Sequence, residues 1–244
     1  YSSPDSDDST WRILSLPHDW SIEGDFSLDN PSTPGGGALP GGIGWYRKTF
    51  TLPETDRDKV IYVDFDGVYR NSEVWINGHS LGFRPNGYVS FRYDLTPYLR
   101  YGSQPNVIAV KADNSEQPNS RWYSGSGIYR NVWLVKVNPV HVDNWGTFVH
   151  DMKISSEEAT FALEVRIRNS SEADREAEVS TSIYDDRNKV VTASVTTLLR
   201  HPYAGGICRS SVLDPKSQAL ESRFSLALHG RHGSESGRQG GRPL

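Results

Sequence analysis

Two carboxylates at the end of an apolar run are the first candidates for chemistry. Asp64 and Asp66 lie two residues apart, and on a strand this spacing places both side chains on one face. Hydrolysis of a glycosidic bond uses two carboxyl groups roughly 5–10 Å apart, one of which holds a proton near neutral pH. Asp66 precedes Gly67, however, and an aspartate at such a turn bonds the local backbone. We therefore interpret both aspartates as part of a solvated strand face and predict no catalytic residue.

Histidine and cysteine occur in patterns that suggest other chemistry. His18 and Asp19 could act as a base and the group that orients it, but no serine or cysteine nucleophile stands beside them. His141 and His150 are isolated, whereas a metal site needs three or four converging ligands. The single cysteine, Cys208, excludes an internal disulfide and a cysteine-based metal site. We predict neither a metal nor a cofactor.

Two loops have the composition of a ligand site. Asp29–Gly44 is rich in glycine and proline, and a loop of that length is either functional or flexible. Asp113–Trp122 is polar and leads into an aromatic pair. Sugars bind to amides, carboxylates and guanidinium groups through their hydroxyls, and to flat aromatic rings through their C–H faces. The candidate substrate-binding residues are Asn119, Arg121, Trp122 and Tyr123. The alternative is that Trp122 and Tyr123, with Ile128, pack the core of the domain.

Short strands separated by turns must position these loops. The apolar runs and period-two alternation predict strands at Val60–Phe65, Glu73–Ile76, Val107–Ala112, Asn131–Val137, Thr160–Arg168, Glu176–Tyr184 and Lys189–Thr196. Asn77-Gly78 predicts a hairpin, because both central residues of a type I′ turn need a positive φ. No stretch has sustained helical periodicity. The pattern predicts an all-β chain of two sandwiches, divided near Val137–Pro139.

Composition and charge exclude several classes of protein. The 244 residues carry 26 basic and 30 acidic side chains, a net charge of −4 that argues against a nucleic acid partner. No apolar run approaches the roughly 18 residues of a membrane span. All seven tryptophans lie before residue 146, so the first part is the aromatic-rich unit.

Five motifs in order carry a resemblance to a known family. They are Leu16-Pro-His-Asp-Trp20, Gly44-Trp-Tyr-Arg-Lys-Thr-Phe50, Phe65-Asp-Gly-Val68, Val74-Trp-Ile-Asn-Gly78 and Trp122-Tyr-Ser-Gly-Ser-Gly-Ile-Tyr-Arg-Asn-Val132. Together they resemble the N-terminal region of glycoside hydrolase family 2, and most closely its bacterial β-galactosidases. The match is dense over residues 5–137 and looser over 138–197. The resemblance makes Pro17–Trp20 a structural corner.

The resemblance implies three domains, of which two fall within this sequence. They are a jelly-roll domain of sugar-binding type at 1–137 and an incomplete immunoglobulin-like sandwich at 138–215; we expect 216–244 to be a disordered tail. The third is a (β/α)8 barrel with two catalytic glutamates. Such a barrel takes about 200 residues or more, and only 47 follow residue 197. In resembling enzymes the loop before Trp122 reaches the barrel's active site, and some members use an acid at the position of Ser120, which this chain lacks.

The resulting function hypothesis is a non-catalytic N-terminal part of a β-galactosidase-type enzyme, so this chain alone should be inactive. The expected partners are a β-galactoside-like carbohydrate, the enzyme's own barrel and, as an open possibility, a second copy of the chain. A free-standing carbohydrate-binding module and a protein-interaction domain remain alternatives. The resemblance favours a periplasmic or secreted location over a cytoplasmic one.

The tail suggests a misread frame. When Lys216–Arg242 is back-translated with freely chosen synonymous codons and read one base later, one solution contains Asn-Pro-Lys-Leu-Trp-Ser. That string resembles the end of the family's immunoglobulin-like domain. We hypothesise that the gene continues in another frame; the alternative is a genuine low-complexity tail.

Overall fold

The structure, a computed structural model, describes residues 1–155, 159–185, 187–201, 205–214, 223–230 and 242–243. The chain divides into two compact units. The first is Tyr1–Lys136 with Gln239–Leu244, and the second is Val137–Arg238. Within the described ranges, no helix is long and apolar enough to cross a lipid bilayer.

The regular elements are almost all strands. In chain order they are β1 (Gly42–Phe50), β2 (Val60–Phe65), β3 (Ser72–Ile76), β4 (His79–Arg84), β5 (Phe91–Asp94), β6 (Asn106–Asn114), β7 (Val132–Val137), β8 (Val140–Ile154), β9 (Ala159–Asn169), β10 (Arg175–Tyr184), β11 (Val190–Arg200), β12 (Gly205–Asp214), β13 (Arg223–Gly230) and β14 (Arg242–Pro243). Short 3₁₀ turns lie at Ser21–Glu23, Pro34–Gly36, Glu54–Asp56 and Thr96–Tyr98. The described residues include no α-helix, so the all-β prediction is confirmed.

The first unit is a sandwich of two sheets, with strand orders β1-β6-β3-β4 and β14-β7-β2-β5. Alternate residues of each strand point between the sheets, because the side-chain period of a strand is two. Val63 and Phe65 of β2 thereby join Val74 and Ile76 of β3 and Val110 of β6 in one buried cluster. This core fixes the ends of β1 and β6, from which the candidate loops emerge.

The β3–β4 hairpin has the predicted turn. Asn77 and Gly78 have φ values of +50° and +84°, the left-handed conformation that a type I′ turn requires. The Asn77 side chain is also buried, and its Nδ2 donates to the Oδ1 of Asn106 at 2.9 Å. Its Oδ1 accepts the Val107 backbone N–H at 2.9 Å. The local preference of Asn-Gly for a type I′ turn and the hydrogen bonds of the Asn77 side chain to Asn106 and Val107 therefore stabilise the same turn.

The N-terminal segment is held against β1 by one guanidinium. The Arg47 side chain is only 4% exposed, and its Nε donates to the Asp8 carboxylate at 2.8 Å. The remaining bonds go to backbone carbonyls of the same segment, those of Tyr1, Ser3, Pro4 and Ser6, at 2.6–3.3 Å. A buried arginine needs such partners for all its donors.

The second unit contains two three-stranded sheets, with orders β12-β9-β8 and β11-β10-β13. Strand β9 alternates as predicted, and Leu163, Val165 and Ile167 are buried together with Val179 of β10. Both sheets are antiparallel throughout their described pairs.

The prediction of a disordered tail over 216–244 is wrong for strand β13. Arg223–Gly230 pairs antiparallel with β10 over eight residues. In the sequence Phe224, Leu226 and Leu228 alternate with polar or small residues, which is a strand pattern. The glycine and arginine content of the whole tail predicts disorder, whereas this short alternating pattern predicts the strand that is observed. Strand β14 pairs with Leu134 and Trp133 of β7, and the rest of 216–244 lies outside the described residues.

Candidate functional site

The site is built around the segment Pro17–Trp20, whose backbone is bonded to residues that follow the candidate loop. The His18 N–H donates to the Ile128 carbonyl at 2.8 Å, and the Trp20 N–H donates to the Ser126 carbonyl at 3.1 Å. Gly127, which lies between Ser126 and Ile128, exchanges two backbone hydrogen bonds with Tyr69, at 2.8 and 2.9 Å. The segment is therefore fixed to the core by a short ladder.

Successive side chains of this segment point to opposite sides, as in a strand. The Asp19 carboxylate faces the loop that follows β6. Its Oδ1 accepts the backbone N–H groups of Ser21 and Ser126, both at 2.9 Å. Its Oδ2 accepts the hydroxyl of Tyr123. Asp19 thus ties the predicted loop to a segment about a hundred residues earlier.

Gly125 makes this approach possible. Its φ is +74°, and a Cβ atom there would lie 2.7 Å from Oδ2 of Asp19. A side chain at this position would therefore be strained and would also displace the carboxylate. The glycine lets the backbone turn sharply and brings Tyr123 over Asp19.

The Tyr123 ring lies partly outside the protein surface. It is 42% exposed, and Gly37 of the glycine-rich loop packs beside it. Burial of its inner part, followed by the hydrogen bond to Asp19, raises the pKa of Tyr123 well above its ordinary value of 10.0. The phenol therefore remains a neutral hydrogen-bond donor across the physiological range.

Asn119 is oriented by a buried amide at the end of β6. The Asn114 side chain is 2% exposed and donates through Nδ2 to the Gly125 carbonyl and the Ser126 hydroxyl. Its Oδ1 accepts Nδ2 of Asn119 at 2.5 Å. The Oδ1 of Asn119 lies 3.3 Å from the hydroxyl of Tyr69, which donates to it. Asn119 is therefore a positioned side chain with most of its bonding capacity used inside the protein.

Arg121 and Trp122 lie at the tip of the loop and face solvent. Trp122 is 61% exposed, and its Nε1 donates to the Tyr88 hydroxyl at 3.2 Å. Arg121 is exposed and forms no ion pair with any residue that the structure describes. The alternative that the aromatic pair packs the core does not hold, because only Ile128 is buried there, at 2% exposure.

The two aspartates considered first are occupied by structural partners. Asp64 forms a bidentate ion pair with Arg92, and both N–O distances are 2.6 Å. The Asp66 carboxylate accepts Nε1 of Trp133 at 3.1 Å. His141 is buried, its Nδ1 lies 2.9 Å from the Asn138 carbonyl, and burial lowers its pKa. Over the described ranges no three His, Cys, Asp or Glu side chains form a metal-binding group.

Two residues that hold the loop were not among the predicted site residues. Asp19 had been assigned to a structural corner, and Asn114 had no role. The available signal was the pairing of a polar loop with a buried asparagine at the end of a strand, where a side-chain amide satisfies backbone groups. The partner of Asp19 is non-local and could not be identified from spacing.

Comparison with known proteins finds the chain similar to one part of several glycosyl hydrolases. The family model for "Glycosyl hydrolases family 2, sugar binding domain" matches residues 26–138. A β-galactosidase of Bacteroides ovatus, BoGH2A, is 55% identical over 190 residues, which cover 78% of this chain and 22% of that enzyme. A β-glucuronidase of Formosa agariphila is 33% identical over 208 residues, which cover 77% of this chain and 21% of that enzyme. The chain thus spans about a fifth of the length of these relatives.

Solved structures agree in fold. A family 2 glycosyl hydrolase from Bacteroides cellulosilyticus superposes with a TM-score of 0.88 at 30% identity, covering 100% of this chain and 32% of that one. A β-glycosidase from Bacteroides vulgatus superposes with a TM-score of 0.84 at 38% identity, covering 100% of this chain and 31% of that one.

Proposed function

The chain belongs to glycosyl hydrolase family 2 as a non-catalytic N-terminal part, and from this premise we propose that its loop Asn119–Tyr123 contributes to the sugar site of a β-galactosidase-type enzyme. The reaction is assigned to the portion of such an enzyme that lies beyond the fifth of its length represented by this chain. The β-galactoside preference follows the relative with 55% identity.

The observation that carries the proposal is an exposed aromatic pair on a rigidly held loop. An indole and a phenol at a domain surface offer flat faces for the C–H groups of a pyranose. Side by side, they form an aromatic surface that a ligand or a neighbouring domain can cover. Asp19 and Gly125 hold Tyr123 in place before any ligand binds, which reduces the entropy lost on binding.

The polar residues of the loop have different roles. Arg121 is exposed and forms no ion pair within the described part of the chain, so its guanidinium can donate to sugar hydroxyls or to a carbonyl of the catalytic domain. Asn119 is bonded to Asn114 and Tyr69, so we assign it to positioning the loop. Ser120 donates its hydroxyl to the Trp122 carbonyl at 2.5 Å and supplies no carboxylate. A sugar contact through an acid at this position is therefore not part of the proposal.

The experiment compares loop variants in a full-length family 2 enzyme that contains this sequence. Arg121→Ala and Trp122→Ala should each lower kcat/KM about ten- to a hundredfold, the value of a lost hydrogen bond or stacking contact at a sugar. Asn119→Ala should lower it through disorder of the loop. Arg100→Ala is the matched control, because Arg100 is also exposed and its side chain forms no ion pair among the described residues. Melting temperatures identify any variant that merely unfolds.

Three outcomes would each overturn part of the proposal. Values of kcat/KM within twofold of the parent for both Arg121→Ala and Trp122→Ala would make the loop structural. Hydrolysis of 4-nitrophenyl β-galactoside by the 244-residue chain alone would contradict its non-catalytic role. A parallel assay with 4-nitrophenyl β-glucuronide decides the substrate, because a relative at 33% identity is a β-glucuronidase. A higher kcat/KM for the glucuronide would refute the β-galactoside assignment.

A further inference from the structure

A groove of about 390 Å³ lies along β1, lined by side chains that the loop site does not use. Its walls include Trp11, Trp20, Ile43 and Trp45, and Arg12 lies at one end. His18 and Trp20 line it, whereas Asp19 between them bonds Tyr123. The alternation of this segment therefore separates the groove from the loop site.

The aromatic walls are fixed in place by their own contacts. Trp20 lies directly against the backbone of β1, because a Cβ at Gly44 would be 2.4 Å from its ring. Its Nε1 donates to the Gly41 carbonyl at 3.3 Å. Trp45 stacks on Trp75 with ring centroids 5.3 Å apart. The walls are therefore preformed surfaces rather than mobile side chains.

Arg12, one of the residues that line the groove, pairs with Glu23 of the 3₁₀ turn Ser21–Glu23. Nη2 of Arg12 donates to Oε2 of Glu23 at 2.6 Å and lies 2.9 Å from Nε2 of His18, which is also 3.3 Å from Oε1 of Glu23. Nδ1 of His18 lies 2.8 Å from the Tyr46 hydroxyl, so the ring is held from both of its nitrogens. The Arg12 side chain is 60% exposed, so the guanidinium keeps N–H groups open to a ligand in the groove.

We propose that this groove is a separate binding site for a neutral pyranose. Its volume lies in the range of small-molecule pockets, and indole faces suit the C–H surface of a sugar ring. Among the lining side chains, Arg12 can donate to the hydroxyls of the sugar. Glu23 already neutralises the Arg12 guanidinium, so the groove offers a sugar carboxylate no unpaired cation and should prefer a hexose to a uronic acid. The proposal takes only its class of ligand from the proposed function and does not depend on Asn119–Tyr123.

The test titrates the 244-residue chain with methyl β-galactoside and with methyl β-glucuronide, observing the indole N–H resonances by NMR. The neutral sugar should shift several indole resonances and bind at least fivefold more tightly than the glucuronide. Arg12→Met keeps the apolar stem but removes the donors, and Ile43→Arg places a long side chain in the groove. Each should weaken binding at least fivefold. Ile43 is 53% exposed, so its replacement should leave the fold intact. Arg100→Ala, on another surface, should bind as the parent does.

Each contrary result has a distinct meaning. Absence of any shift at about 50 mM sugar, or parental affinity in both groove variants, would refute the groove site and leave the loop proposal untouched. Loss of binding confined to Trp122→Ala would place the sugar at the loop and refute the groove. Tighter binding of the glucuronide would refute the preference for a neutral sugar.

Discussion

The hydroxyl of Tyr123 donates to the Asp19 carboxylate and joins the loop after β6 to a segment 104 residues earlier. The same carboxylate accepts two backbone N–H groups. One aspartate therefore fixes both the course of the Pro17–Trp20 segment and the position of an exposed aromatic ring. Stability and ligand contact depend on the same side chain at this point.

The first prediction separates these two roles. Tyr123→Phe removes one bond to a carboxylate that keeps two others, so it should lower the free energy of unfolding by about 1 kcal/mol. Asp19→Ala leaves two N–H groups and a phenol without an acceptor and should cost about 2–4 kcal/mol. Urea denaturation of the 244-residue chain measures both. The control is Tyr98→Phe, a similarly exposed tyrosine whose hydroxyl forms no bond among the described contacts. Equal effects of Tyr123→Phe and Asp19→Ala would contradict this division.

The second prediction concerns alkaline pH. Burial raises the pKa of Tyr46 to about 12, and that of Tyr123 is raised as well. Above pH 10.0, the ordinary pKa of tyrosine, the unfolded chain loses these protons while the folded chain retains them. The unfolded state then binds fewer protons, so the free energy of unfolding falls as pH rises from about 10 to 12. Below pH 10 these groups should contribute no slope.

Two measurements check the alkaline prediction. Absorbance at 295 nm should show part of the tyrosine signal titrating only near pH 12, and urea midpoints should fall over the same interval. Tyr46→Phe should flatten the fall relative to the parent, while Tyr98→Phe should not. A midpoint that stays constant from pH 10 to 12 would be inconsistent with these buried phenols.

The third prediction concerns strand β13. It pairs with one edge of β10 from Ala177 to Tyr184, so a chain shortened after Asp214 leaves that edge open. Unpaired strand edges exchange amide hydrogens quickly and promote association between chains. We expect faster hydrogen exchange in β10 and concentration-dependent aggregation, while β2 and β6 of the first unit keep their protection. Unchanged exchange in β10 would show that β13 contributes nothing to the sheet.

Local signals were sufficient for most of the fold. Val60–Phe65 was predicted and β2 has the same bounds, because apolar β-branched residues and an Asp-Gly stop act within a few positions. The turn at Asn77-Gly78 has the same origin. Strand β13 was missed because composition was averaged over a longer window than the strand itself.

The candidate loop was identifiable, but its support was not. Its residue types indicated sugar chemistry, and the structure leaves Arg121, Trp122 and Tyr123 exposed at one loop. The bond from Tyr123 to Asp19 depends on a close approach at Gly125 and on a ladder between distant segments. Such non-local contacts depend on the topology of the fold, which hydrophobic periodicity and strand propensity do not determine.

Arg47 has a consequence for how much the first residues can vary. Four of its acceptors are backbone carbonyls, and Asp8 alone contributes a side chain. Carbonyl oxygens are identical in every amino acid, so substitution at positions 1, 3, 4 and 6 should be tolerated by this contact. An inserted or deleted residue would shift the carbonyls out of reach. The contact with Arg47 thus constrains the length of the segment more than its sequence, and substitutions at positions 3, 4 and 6 could accumulate without loosening that contact.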